Sequence, residues 1–134
     1  MNILVDTSVW SLALRRSGGP VSPKVALLGD CLDRGEEVMT TGLVIQELLQ
    51  GFNGPRQAKR ILRELSLLPL IVPDLEDHLQ AAELRNYCLR RGVQAGTIDA
   101  LLAALSIRHR LRLLTTDKDF EAMARHCPLS LLEP

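Results

Sequence analysis

Short apolar runs alternate along this chain with longer segments of helical periodicity, and this alternation most constrains its fold. Ile3–Val5, Glu37–Thr40 and Arg112–Thr115 have the length and composition of strands. In the segments between them, apolar residues recur every three or four positions, as in helices that bury one face. Such an alternation predicts an α/β chain: a three-layer α/β/α sandwich around a central parallel sheet of about five strands.

Two weaker strands complete the predicted sheet. Leu68–Val72 is expected at an edge, because Pro69 cannot donate to a strand ladder. Leu129–Leu132 is expected to be the last strand, and Ser17–Pro20 to interrupt the chain after the first helix. The expected helices cover residues 7–15, a segment starting at Ser22, 43–50, 57–66, 73–91, 97–109 and 117–126.

The composition narrows the classes of function. A length of 134 residues predicts one domain, spanning 1–134, and 16 basic against 16 acidic residues argue against a chain that holds nucleic acid by net charge alone. Three widely separated cysteines predict reduced thiols rather than a zinc site. We see neither a signal peptide nor an apolar stretch of the ~20 residues that span a membrane, so we expect a cytoplasmic protein with no membrane partner.

Acidic residues recur where predicted strands end or the following helices begin. Asp6 follows the first strand, and Asp117 and Asp119 follow the fourth. Glu47 and Asp99 lie in apolar helices. Each has an ordinary explanation when taken alone: a helix cap, a solvated helix position or a favourable charge in a first helical turn.

The combination of these acids points to chemistry. The carboxyl ends of parallel strands meet in one crevice, where ligands of such folds bind. Several carboxylates gathered there repel one another, so a divalent cation is their natural counter-charge. Mg²⁺ prefers oxygen ligands, and such a site can activate water for displacement at phosphorus.

Four blocks carry a resemblance to a known family: Ile3–Trp10, Ile45–Gly51, Gly92–Ala104 and Leu113–Phe120. In this order and at these spacings the chain resembles the PIN-domain family, and most closely its VapC-type toxin ribonucleases of type II toxin–antitoxin systems. The resemblance implies a metal-dependent endoribonuclease. Our hypothesis for its mechanism is hydrolysis of an RNA phosphodiester bond by a metal-activated water, with no covalent enzyme intermediate.

The resemblance also implies the site residues. The catalytic quartet would be Asp6, Glu47, Asp99 and Asp117. The ligands of Mg²⁺ or Mn²⁺ would be Asp6, Asp99, Asp117 and Asp119, with the division between the last two open. Ser8 and Thr116 would support the site with their hydroxyls, although Thr116 has an equal claim to be a helix N-cap.

The implied partners are an RNA substrate, a cognate VapB-like antitoxin and a second copy in a homodimer. The apolar faces of helices 43–50 and 57–66 are candidates for the antitoxin groove, with core packing as the alternative. Basic residues that would hold RNA, or simply face solvent, are Arg56, Lys59, Arg60, Arg63, Arg85, Arg90, Arg91, Arg108, Arg110 and Arg112.

Three other functions remain possible from the sequence. A dehalogenase-type phosphotransfer enzyme also has Asp after its first strand, but it wants a second Asp where this chain has Ser8. A phospho-receiver module wants a lone lysine after a late strand, whereas Lys118 lies between two acids. A PIN fold that has lost activity and acts as a binding module is the third alternative.

Overall fold

Parallel strands form the centre of the molecule. The computed structural model describes residues 1–15 and 19–134. Within this part of the chain, the sheet order is β3-β2-β1-β4 and every neighbouring pair is parallel. The strands are β1 (Asn2–Val5), β2 (Glu37–Thr41), β3 (Leu70–Ile71) and β4 (Arg112–Leu114).

The predicted fifth strand is reduced to one bridge. Leu131 pairs in parallel with Leu113, which donates to the carbonyl of Ser130 and accepts from the N–H of Leu132. Leu131 is thus the residue of the expected last strand that pairs with β4 among the described residues. The expectation of about five strands therefore becomes four strands and a bridge among the described residues.

The helices follow the predicted order with small changes at their ends. Proline occupies the first turn of two of them, where its missing N–H costs nothing. Gly92 ends the long helix with a φ of 75°, which favours glycine. Of the predicted break at 17–20, residues 17 and 18 lie outside the described residues. The helices are α1 (Thr7–Leu14), α2 (Pro23–Asp33), α3 (Gly42–Gly51), α4 (Pro55–Leu65), α5 (Leu75–Arg90), α6 (Thr97–Arg108) and α7 (Lys118–Ala124).

Burial of the central strand establishes the three layers. Ile3, Leu4 and Val5 are each 0% exposed, although successive side chains of a strand point to opposite faces of the sheet. Helices must therefore cover both faces, as in the predicted α/β/α sandwich. The expected edge strand is also confirmed, since β3 is the outermost strand beside β2.

A charged network joins the start of α5 to the end of α6. Asp74 and Asp77 each accept the other's backbone N–H at 2.9 Å, which caps α5. Asp77 is 1% exposed and forms an ion pair with Arg108 of α6. This network fixes the carboxyl end of α6, and the amino end of the same helix carries Asp99.

A helix that crosses a bilayer needs about 20 predominantly apolar residues. Within 1–15 and 19–134, none combines the length and apolar character needed to cross a membrane.

Candidate active site

The sheet brings two polar strand ends together. β1 and β4 are neighbours in the sheet, and the N–H of Asp6 donates to the carbonyl of Leu114 at 2.9 Å. Asp6 therefore continues the β1–β4 ladder by one hydrogen bond. Residues Thr115 to Asp119 leave β4 at the same edge and enter α7. The carboxyl ends of two adjacent strands thus provide the floor of an acidic crevice.

Asp6 is held by hydroxyl groups rather than by a helix end. Asp6 is 6% exposed, and its Oδ2 accepts hydrogen bonds from Ser8 Oγ and from Thr115 Oγ1, both at 2.8 Å. Asp6 stands at the N-cap position of α1, yet none of the described N–H groups of that helix donates to its carboxylate. Capping therefore does not account for a buried carboxylate at this position.

Glu47 projects from α3 and is held in a similar way. Thr7 Oγ1 donates to Glu47 Oε1 at 2.7 Å, and the glutamate is half-buried. The bond joins the first residue of α1 to the middle of α3, so two helices fix the direction of this carboxylate. Glu47 is therefore not an ordinary solvated position on an amphipathic helix.

Three carboxylates from α6 and the start of α7 form the closest group. One oxygen each of Asp99, Asp117 and Asp119 lie within 4.8 Å of one another. Asp117 also caps α7, because it accepts the N–H of Asp119 at 2.9 Å. The sequence left open whether Asp117 or Asp119 caps the last helix. Asp117 is the cap, and it also belongs to the acidic group.

Electrostatic repulsion identifies all five acids as neighbours. The pKa of Asp99 is raised to about 6, first by burial and then by the negative charges of Asp117, Asp6, Asp119 and Glu47. These four charges come from residues that lie 18 to 93 positions away from Asp99 in the chain. The fold has therefore collected every acid of the predicted set around Asp99.

The donor set fits a hard divalent cation. The group consists of carboxylate oxygens, which are the ligands that Mg²⁺ prefers, and one oxygen each of Asp99, Asp117 and Asp119 lie within 4.8 Å of one another. A positive ion would also relieve the repulsion that raises the pKa of Asp99.

Two of the hydroxyls that hold the site were not singled out by the sequence. Thr7 anchors Glu47, and Thr115 anchors Asp6. The signal for Thr115 was a hydroxyl residue directly after an apolar strand. Of the two predicted supporting residues, Ser8 donates to Asp6 through its hydroxyl, whereas Thr116 contributes its backbone N–H, which donates to Ser8 Oγ at 3.0 Å.

Several basic residues considered for RNA binding have other partners. Arg60 donates to the carbonyl of Leu14 at 3.0 Å, and Arg108 pairs with the carboxylates that cap α5. Arg91 lies 3.4 Å from the ring centroid of Tyr87. Arg112 is the first residue of β4 and lies at the amino end of the strand, whereas the acids follow its carboxyl end. The exposed basic residues on α4 are Arg56, Lys59 and Arg63.

Sequence comparison finds relatives along nearly the whole chain. The family model described as PIN domain matches residues 3–126. Ribonuclease VapC11 of Mycobacterium tuberculosis is 31% identical over 125 residues, which are 92% of this chain and 92% of the relative.

Structural comparison finds the same fold in solved complexes. VapBC2 from Rickettsia felis, bound to a DNA fragment from its promoter, contains a chain that superposes with a TM-score of 0.78, at 20% identity over 98% of both chains. A toxin–antitoxin complex from Klebsiella pneumoniae contains another, with a TM-score of 0.67, at 20% identity over 89% of this chain and 90% of that one.

Proposed function

Because the chain belongs to the PIN domain family, we propose that it is a metal-dependent endoribonuclease and the toxin of a toxin–antitoxin pair. Residues 1–134 would form a single nuclease domain. The name and 31% identity of its relative VapC11 support ribonuclease activity on RNA phosphodiester bonds. The cation would be Mg²⁺ or Mn²⁺, both of which accept an all-oxygen ligand set.

The observation that carries this proposal is the crowding of carboxylates around Asp99. Its pKa of about 6 arises from burial and from four like charges. Holding five acids together is unfavourable for the protein alone, and a divalent cation removes that cost when it binds. Residues with strongly perturbed pKa values cluster at functional sites, which further supports a catalytic role.

Each acid then has a defined task. We propose that Asp99, Asp117, Asp119 and Asp6 hold the cation, and that Glu47 orients or deprotonates the attacking water from the side of α3. A bound cation would supply an activated water and offset charge that develops at phosphorus. Ser8, Thr7 and Thr115 hold carboxylates in position, and the exposed Asp119 leaves the crevice open to a long polymer.

Basic groups near the crevice would contact the RNA backbone, because an acidic pocket repels phosphate. The exposed Lys118 lies between two acids of the site and is the nearest such group in sequence. The exposed basic residues of α4 form a second candidate surface. We propose that these side chains position RNA and that the carboxylates act on it.

A protein partner is the second part of the proposal. The Klebsiella pneumoniae neighbour was solved as a toxin–antitoxin complex, which supports a VapB-like antitoxin for this chain. Leu48 and Leu65 of the proposed groove lie in the core, but Leu62 is 49% exposed and Leu12 of α1 is 39% exposed. We propose that these two leucines contribute to the antitoxin groove, that the toxin is a homodimer, and that it acts on cytoplasmic RNA.

The test is cleavage of a defined RNA by purified protein with Mg²⁺ or Mn²⁺ and with EDTA. We expect cleavage that EDTA abolishes, and a loss of at least about 100-fold in Asp6→Asn and Asp99→Asn. Asp30→Asn, which changes an exposed aspartate of α2, is the matched control and should cleave like the wild type.

Two outcomes would contradict the proposal. Full activity of either site variant would remove that residue from the mechanism. Absence of cleavage by the wild type, together with absence of growth arrest on expression, would favour the alternative of an inactive binding module. Growth arrest that Asp6→Asn relieves would exclude that alternative.

A further inference from the structure

Two hydroxyl groups connect Asp6 to the segment that carries Asp117. Thr115 Oγ1 donates to Asp6 Oδ2 at 2.8 Å and accepts the backbone N–H of Asp117 at 3.0 Å. Ser8 Oγ donates to the same Oδ2 at 2.8 Å and accepts the backbone N–H of Thr116 at 3.0 Å. Each hydroxyl thus uses its single proton on Asp6 and a lone pair on the turn after β4.

The two hydrogen bonds select one oxygen of the carboxylate. Both hydroxyls donate to Oδ2 of Asp6, so Oδ1 is the oxygen that the described contacts leave for a cation. Hydrogen bonds to an ionised carboxylate are among the stronger ones in proteins. Rotation of the Asp6 carboxylate out of this orientation would break both bonds.

Thr115 is the better connected of the two hydroxyl residues. It is 4% exposed, and it directly follows β4, one residue beyond the strand that pairs with β1. Its hydroxyl touches one acid of the site through a carboxylate and a second acid, Asp117, through the backbone. A change at Thr115 therefore alters the direction of Asp6 and the placement of Asp117 together.

We propose that Thr115 is a positioning residue that sets the affinity of the site for its cation, by directing Oδ1 of Asp6 towards the group formed by Asp99, Asp117 and Asp119. This inference rests on the proposed metal-dependent function. It assigns to Thr115 the supporting role that the sequence gave to its neighbour Thr116. Partners that orient metal ligands typically change metal affinity or activity about 10–100-fold when they are removed.

The experiment measures Mn²⁺ binding by isothermal titration calorimetry, with full-length protein freed of metal by EDTA and dialysis. Thr115→Val removes the hydroxyl and keeps the shape, and we expect the dissociation constant for Mn²⁺ to rise about 10–100-fold. Thr115→Ser keeps the hydroxyl and should restore binding. Thr116→Val makes the same change one residue later, at an exposed side chain, and should bind Mn²⁺ like the wild type.

Thermal unfolding of each variant in EDTA separates positioning from stability. Unchanged Mn²⁺ affinity in Thr115→Val, with or without a lower melting temperature, would overturn the proposal, as would equal losses in Thr115→Val and Thr116→Val. Failure of the wild type to bind Mn²⁺ would also overturn it. If Thr115→Val does not fold, Thr115→Ala is judged by the same criteria, and Ser8→Ala, which breaks the other bond to Asp6 Oδ2, must also weaken binding.

RNA cleavage by the same samples distinguishes this proposal from the proposed function. Cleavage by the wild type, with Mn²⁺ binding unaffected by Thr115→Val, would refute the role of Thr115 and leave the nuclease function intact. Mn²⁺ binding that depends on Thr115, without cleavage of RNA, would refute the nuclease function and leave the positioning role intact.

Discussion

Replacing Asp99 by asparagine should stabilise the cation-free protein while removing its response to metal. The carboxylate lies among four other acids, and its pKa of about 6 records how unfavourable its negative charge is in the folded state. Asparagine has nearly the same shape and no charge. In EDTA at pH 7.5 the variant should therefore be more stable than the wild type, although it has lost a proposed metal ligand.

The size of this effect follows from the pKa. A rise from 3.8 to about 6 corresponds to about 3 kcal/mol, at about 1.4 kcal/mol per pKa unit. Asp99 is half-buried, so solvent screening reduces this figure to about 1.5 kcal/mol. The negative charge also lies in the first turn of α6, where it gains about 0.5 kcal/mol from the helix dipole. The net gain for Asp99→Asn is about 1 kcal/mol, or about 4 °C in melting temperature for a chain of this length.

Trp10 provides the assay. It is the single tryptophan of the chain and is 5% exposed, so its fluorescence should change when the protein unfolds. Thermal and urea unfolding would be recorded in EDTA and again with millimolar MnCl₂. Because a ligand stabilises the state that binds it, the wild type should gain stability with Mn²⁺ and the variant should gain less. Asp30→Asn should follow the wild type in both conditions.

A lower melting temperature for Asp99→Asn in EDTA would refute this reasoning. It would mean that the carboxylate makes favourable contacts that outweigh its repulsion by the other acids. Equal stabilisation of variant and wild type by Mn²⁺ would refute the assignment of Asp99 as a ligand.

Three further predictions follow from the same contacts. Between the ordinary pKa of 3.8 and about 6, the folded protein binds more protons at Asp99 than the unfolded chain does. The stability advantage of Asp99→Asn in EDTA should therefore grow from near zero at pH 4 to its full value above pH 6. An advantage that urea titrations show to be independent of pH would contradict this. Burial would raise the pKa of Asp77, but the N–H of Asp74 and the Arg108 ion pair outweigh it and hold the pKa below its ordinary value. Asp77→Asn should therefore lower the free energy of unfolding at pH 7 by about 2 kcal/mol. This loss of stability should shrink as the pH falls below about 4, where the wild-type carboxylate becomes protonated. A loss of stability that does not change with pH would exclude an ionic contribution. Thr7→Val should reduce RNA cleavage about tenfold with little change in melting temperature, and unchanged cleavage would show that Glu47 needs no anchor.

The order of the elements was predictable because each leaves a local signature. The apolar run before Asp6 marks a buried strand, and Gly92 marks the end of a long helix. The last strand was the exception. Leu129–Leu132 has the composition of a strand, but the length of its ladder also depends on how far β4 runs alongside it, and a single bridge forms. The number of residues that pair depends on both neighbouring segments, so it cannot be predicted from the sequence of one segment alone.

The candidate site was predictable in its acids and less so in its hydroxyls. Carboxylates in apolar surroundings need an explanation, which directs attention to residues such as Asp99. A threonine at a strand end needs none, since threonine is common in strands. Thr115 and the neighbouring Thr116 look alike in sequence, and only the direction of the chain as it leaves β4 decides which hydroxyl meets Asp6.

The hydrogen bond from the N–H of Asp6 to the carbonyl of Leu114 has a consequence for the cell that makes this protein. Asp6 and Thr115, which are joined by a hydrogen bond in the site, are 109 positions apart in the chain. A ribosome that has synthesised β1 and the helices as far as α6 has therefore produced no complete acidic site. The proposed toxin would therefore lack its complete acidic site through most of its own translation, until β4 and the turn after it have joined the sheet.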